Sequence, residues 1–92
     1  MIGISAQISL YPLGQADLTP AIERVIAALE AHALPYEVGP MSTRTWGDDE
    51  RVWAALREGY RAAAELGAAV LHVTVANACP PNGNVRPEEF HV

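Results

Sequence analysis

The hydropathy pattern of this chain predicts an α+β domain in the order strand, helix, strand, strand, helix, strand. Three observations carry that expectation. Ile2, Ile4, Ala6, Ile8 and Leu10 alternate with Gly3, Ser5, Gln7, Ser9 and Tyr11, the period of two of a strand with one buried face. Two stretches, Leu18 to Leu29 and Val52 to Leu66, repeat apolar residues at helical spacing, as an amphipathic helix does. Leu71, Val73 and Val75 then alternate with His72, Thr74 and Ala76, which reads as a closing strand.

Each element has its own punctuation. The first strand covers residues 2–11 and ends at Pro12 and Gly14. Thr19 followed by Pro20 reads as an N-cap with proline in the first helical turn. Leu18, Ile22, Val25, Ile26 and Leu29 form the stripe of a helix over 18–32. Pro35 closes the connection, and Tyr36 to Gly39 is a short strand entering a Gly39-Pro40 turn. A second short strand over about 41–46 returns from that turn to complete a hairpin.

Gly47-Asp48-Asp49-Glu50 supplies a stop, a capping carboxylate and an acidic first turn for the second helix. Its stripe is Val52, Ala55, Leu56, Gly59, Ala63 and Leu66, with Gly67 placed as C-cap. Small residues at 59 and 62–64 suit close packing on a sheet. The last strand covers 69–77. Beyond it, Pro80, Pro81, Gly83 and Pro87 predict an irregular tail over about 79–92, in which Phe90 could dock on a neighbour.

Length and composition set the bounds. Ninety-two residues form one domain over 1–92, and a chain of this size buries only about 60 to 65% of the surface its unfolded form exposes. Half of the residues are apolar and 18% are charged, which fits a globule that associates with copies of itself. The net charge is -5, and the six basic residues, Arg24, Arg44, Arg51, Arg57, Arg61 and Arg86, are spread along the chain. Nucleic acid is thereby disfavoured, while a cationic small molecule is electrostatically welcome. Cys79 is the single cysteine, so no intramolecular disulfide is expected. The N-terminal residues have no basic flank and no long apolar run, so neither a secretory signal nor a membrane span is expected.

The element order is the split arrangement of a ferredoxin-like βαββαβ fold, with an antiparallel four-stranded sheet. Right-handed crossovers put both helices on one face. The other face is open, and the unusual polar residues collect there: Gln7, Ser9 and Tyr11 from the first strand, His72 and Thr74 from the last. Glu37 joins them if Tyr36 and Val38 point at the helices. For Ser42-Thr43-Arg44-Thr45, polar throughout, alternation does not choose a face.

The segments AQISLYPLG (6–14), DLTPAI (17–22), PYEVGPMST (35–43) and VANACP (75–80) resemble the thiamine-binding protein family, also called the YkoF or MTH1187-like family of small ferredoxin-like proteins. The likeness runs in order through roughly residues 4–80. It implies a cytoplasmic protein that assembles through its sheets, faces or edges, into a homodimer or homotetramer. It also implies non-catalytic binding of thiamine or its hydroxymethylpyrimidine part, with no further cofactor required.

The residue inventory is compatible with such a ligand. Thiamine presents an aminopyrimidine edge, a cationic thiazolium and a hydroxyethyl arm. Gln7, Ser9, Ser42, Thr43 and Asn77 offer short polar groups for the edge. Tyr11, Tyr36, Met41 and Trp46 offer stacking faces, and Glu37 a carboxylate for the cation. Each has a plainer reading too. Gln7 and Ser9 could satisfy each other in a sheet-to-sheet interface, Ser42 and Thr43 could be strand-edge hydroxyls, Glu37 a solvated charge, and Trp46 a packing residue beside the turn.

Two other function classes stand beside the binding reading. One is a small ferredoxin-like enzyme of isomerase or monooxygenase type using His72 or Glu37, which rests on fold analogy. The other is a structural or regulatory oligomer. No His, Cys, Asp or Glu cluster has metal-ligand spacing, Cys79 has no evident base partner, and neither a phosphate loop nor a nucleophile elbow is present.

Overall fold

A computed structural model describes residues 2–40 and 42–77 of the chain. The elements follow the expected order: β1 (Gly3–Pro12), α1 (Thr19–Ala31), β2 (Tyr36–Val38), β3 (Thr43–Asp48), α2 (Asp49–Ala64) and β4 (Ala69–Ala76). The strands form one sheet in the order β2-β3-β1-β4, with every neighbouring pair antiparallel. β3 is thus inserted between β1 and β2, which α1 connects, and β1 between β3 and β4, which α2 connects. This interleaving is the ferredoxin-like α+β fold.

The alternation of β1 sorts its side chains as the sequence requires. Ile4, Ala6 and Ile8 are buried in one cluster with Ala21, Val25 and Leu29 of α1 and Val52, Ala55 and Leu56 of α2. Both helices therefore cover the same face. Leu71, Val73 and Val75 of β4 pack against that cluster, while Val70, His72 and Thr74 are exposed. Gln7 and Tyr11 are exposed on the same helix-free face.

Several boundaries depart from the sequence reading for identifiable reasons. Thr19 is the first helical residue of α1 rather than its cap. Leu18 holds the N-cap position without a side-chain bond, and Asp17 Oδ1 accepts from the Thr19 N–H at 3.0 Å instead. β3 runs two residues later than expected. Gly47 does not stop it, because Gly47 and Asp48 pair with Ile4 and Gly3 of β1. A Cβ on Gly47 would lie 2.6 Å from Leu34 Cδ2, so this glycine makes room for a core leucine. Likewise, the C-cap of α2 is Glu65, not Gly67, which follows two residues later. Gly59 faces α1 rather than the sheet: a Cβ there would lie 3.1 Å from Val25 Cα and 3.4 Å from Ala28 Cβ.

The end of α1 and the start of α2 are tied together. Leu34 N–H donates to the Leu29 carbonyl at 3.0 Å and Ala33 N–H to the Glu30 carbonyl at 3.0 Å, a Schellman closure with Ala33 in the left-handed region at φ 56°. Arg51 Nη1 donates to the carbonyls of His32 and Ala33 at 3.3 and 3.5 Å. Its Nε donates to Asp48 Oδ1 at 2.5 Å, and its backbone N–H to Asp48 Oδ2 at 3.0 Å. These bonds from Arg51, the side-chain one first, hold the Asp48 carboxyl below the usual carboxylate range. The capping role assigned to Asp48 from the sequence is therefore met.

Met41 and the segment 78–92, with the expected irregular tail, Cys79 and Phe90, lie outside the described residues.

Candidate functional site

The pairing of β1, β3 and β2 builds a polar row across the helix-free face. Gln7 lies opposite Arg44, and Arg44 opposite Glu37. Thr43 and Thr45 are buried, so Arg44 and Trp46, which alternate with them, project to the other side. This resolves the one strand that polarity alone left open. Thr45 Oγ1 donates to the Pro35 carbonyl at 2.8 Å, which explains how a hydroxyl is tolerated at full burial.

Three interactions organise the row. Gln7 Nε2 donates to Ser42 Oγ at 3.2 Å. Arg44 Nη2 is ion-paired with Glu37 Oε1. The Arg44 guanidinium carbon stands 5.4 Å from the centroid of the Trp46 ring, within cation–π range. Gln7, Glu37, Val38, Gly39, Ser42 and Arg44 border a hollow of about 440 Å³, inside the size range of small-molecule sites.

The expected site residues divide accordingly. Gln7, Glu37 and Ser42 border this hollow, and Trp46 backs it through Arg44. Tyr11 lies farther along the same face, opposite Val70 of β4, and is exposed. Ser9, opposite His72, borders a smaller hollow of about 160 Å³ between α1 and the end of the sheet, as does Thr43. Ser42, Val38 and Gly39 border both hollows, so Ser42 stands between them.

Tyr36 and Asn77 are not brought into the row. Tyr36 packs against the core on the helix side, where its O–H donates to Glu30 Oε2 at 2.8 Å. That bond raises the phenol above its ordinary range. Asn77 follows the end of β4 and borders a separate depression with Ile2, Asp49 and Trp53, because the far end of β4 pairs with the start of β1. Met41 lies outside the described residues.

Arg44 is the charged residue bordering the hollow that was not among the expected site residues. Its signal was available only in pairing: once Glu37 is placed on the open face, the residue opposite it in the hairpin must share that face.

A larger hollow of about 550 Å³ lies between α2 and β4, bordered by Trp53, Leu56, Tyr60, Val70 and Leu71, with Arg57 beside them. It is apolar and carries none of the expected site residues. A ligand that must be oriented needs convergent donors and acceptors, so the smaller polar hollow is the better candidate. Among the described residues no group of three His, Cys, Asp or Glu side chains could hold a metal ion, and no helix is long and apolar enough to cross a membrane.

The comparisons with known proteins follow the same direction. Among curated proteins none matches the chain. Among solved structures, a hypothetical protein of Methanocaldococcus jannaschii, MJ1052, superposes with a TM-score of 0.76 at 22% identity, covering 83% of this chain and 80% of that one. SP2199 of Streptococcus pneumoniae gives a TM-score of 0.75 at 23% identity, covering 82% and 86%. TM0486 of Thermotoga maritima, described as a candidate thiamine biosynthesis or salvage protein, gives 0.71 at 22% identity, covering 95% and 92%. At these identities the likeness shows the shared fold. The sequence match is more specific: the family described as thiamine-binding protein matches residues 6–78, a span that runs from within β1 through β4 and includes every residue bordering the polar hollow. The chain belongs to the thiamine-binding protein family.

Proposed function

We propose that this protein binds thiamine or a related hydroxymethylpyrimidine compound, without turning it over, in the hollow on the helix-free sheet face. The observation that carries the reading is the Gln7 to Ser42 hydrogen bond beside the Glu37–Arg44 pair, all bordering one cavity of about 440 Å³. The aminopyrimidine edge alternates acceptors and a donor. A carboxamide and a hydroxyl, each able to donate and accept, can answer both. Glu37 uses Oε1 for Arg44, and its side chain remains 63% exposed, so the carboxylate can also face a cationic ring.

Membership of the thiamine-binding family and the description of the Thermotoga maritima relative support the ligand class. The open site also fits assembly: a cavity bordered only on one side gains enclosure when a second sheet covers it. We therefore place the site at a subunit interface of a homodimer or homotetramer and the protein in the cytoplasm, with no cofactor beyond its ligand. Isothermal titration calorimetry with thiamine and with hydroxymethylpyrimidine tests the reading, and saturable heat with either is the expected result. No heat from either at millimolar concentration would end it.

The enzymatic alternative draws less support. Of its two candidate groups, His72 is exposed on the open face opposite Ser9 and does not border the polar hollow, whereas Glu37 borders it but is ion-paired with Arg44. A proton-transfer group needs to reach the bound substrate.

A further inference from the structure

Arg44 changes the charge logic of the site. Thiamine offers a cation, and a carboxylate alone would welcome it. Here the carboxylate of Glu37 already carries a guanidinium counter-charge, so the pair presents a cationic ligand with attraction and repulsion of similar size. Glu37, still 63% exposed, can face a cationic ring, but the net electrostatic gain is small.

What the arrangement does supply is a fixed set of donors. Guanidinium is planar, permanently charged and carries five N–H groups. Glu37 occupies Nη2 and the Trp46 ring lies near the guanidinium carbon at 5.4 Å. Two contacts thus restrain the group while other N–H groups stay free to donate. The side chain is 37% exposed and borders the hollow next to Gln7 and Ser42. A restrained guanidinium beside an amide and a hydroxyl suits a ligand that brings an anionic, acceptor-rich group.

Resting on the thiamine-type reading above, we propose that the site selects a phosphorylated ligand, a pyrimidine compound carrying a phosphoryl group, and that Arg44 is the residue that reads the phosphoryl oxygens. Glu37 and Trp46 act as positioning residues for it. Glu37 also limits the preference, since its charge repels the phosphoryl group.

The test compares thiamine with thiamine monophosphate by calorimetry on the wild-type protein and on Arg44→Gln and Arg44→Lys, with thermal melts to check folding. The wild type is expected to bind the monophosphate about tenfold more tightly than thiamine, and added salt should narrow the gap. Arg44→Gln should bring the ratio of the two affinities to about one. Arg44→Lys, which keeps the charge and loses the fork, should fall between. Equal affinities in the wild type, or an undiminished monophosphate preference in Arg44→Gln, would overturn the proposal and leave the binding reading standing. If neither compound binds, both fall together.

Discussion

Gln7 of β1 and Ser42, the residue before β3, are joined side chain to side chain by a 3.2 Å hydrogen bond on the face that the helices leave bare. They are 35 residues apart in sequence and meet because β3 is inserted beside β1. The bond stands at the surface rather than in the core, so it contributes little to folding and is free to be exchanged for bonds to a ligand.

That exchange gives the first prediction. Gln7→Ala and Ser42→Ala should each weaken thiamine binding by about tenfold, the equivalent of about 1.4 kcal/mol, while leaving the melting temperature almost unchanged. Calorimetry and thermal melts on the same preparations separate the two effects. Equal losses of stability and affinity would assign the pair a structural role.

A second prediction concerns the left-handed closure of α1. Ala33 occupies a position at φ 56° that costs an L-residue about 1 to 2 kcal/mol and a glycine almost nothing. Ala33→Gly should therefore stabilise the fold by about 0.5 to 1 kcal/mol, part of the gain being offset by the entropy of glycine in the unfolded chain. Urea denaturation measures it, and a loss of stability would show that the Schellman geometry is not held in solution.

The crossing of the two helices supplies a third. Gly59 brings α2 to within 3.1 Å of the Val25 backbone when a Cβ is built on it. Gly59→Val should cost about 2 to 3 kcal/mol through overpacking. Gly59→Ala should cost less, because alanine's helix propensity offsets part of the strain. If valine proves neutral in denaturant melts, the helices are not in the contact described.

The fourth follows from the Asp48–Arg51 bonds. With its folded-state pKa below the unfolded value, Asp48 adds stability that is fully present above the unfolded carboxylate range and is lost as pH falls through the folded pKa. Wild-type melting temperature should thus decline on acidification, and Asp48→Asn should flatten the acid side of that profile. The variant should melt lower at neutral pH and converge on the wild type in acid. An unchanged slope would remove Asp48 from the account.

The fold was legible because its signals were local. Alternation in β1 and β4 and the stripes on both helices each identify an element within one window of sequence. The errors arose where a local cue competed with a tertiary demand. Gly47 reads as a stop, yet strand pairing continues through it and its missing side chain accommodates Leu34. Ala33 gives no hint of a left-handed turn, because the hydrogen bonds from Ala33 and Leu34 back to α1, not a glycine, impose it. Thr19 looks like a cap, but Asp17 does the capping from outside the helix.

The site was legible in part for a related reason. Gln7 and Glu37 declared themselves as polar residues in alternating or short strands, and both face away from the helices. Thr43, Arg44 and Trp46 could be sorted only by the register of β3 against its two neighbours. Tyr36 and Asn77 belong to the right segments of chain, but one turns to the core side and the other follows the far end of the sheet, information that no short motif contains.

Titration of the wild-type protein with thiamine in a calorimeter is the most direct test of a ligand site on the bare sheet face, run beside Gln7→Ala. Saturable heat that the substitution weakens, with folding intact by thermal melt, is the outcome predicted here. Binding that Gln7→Ala leaves untouched would move the site elsewhere on the molecule and contradict the account.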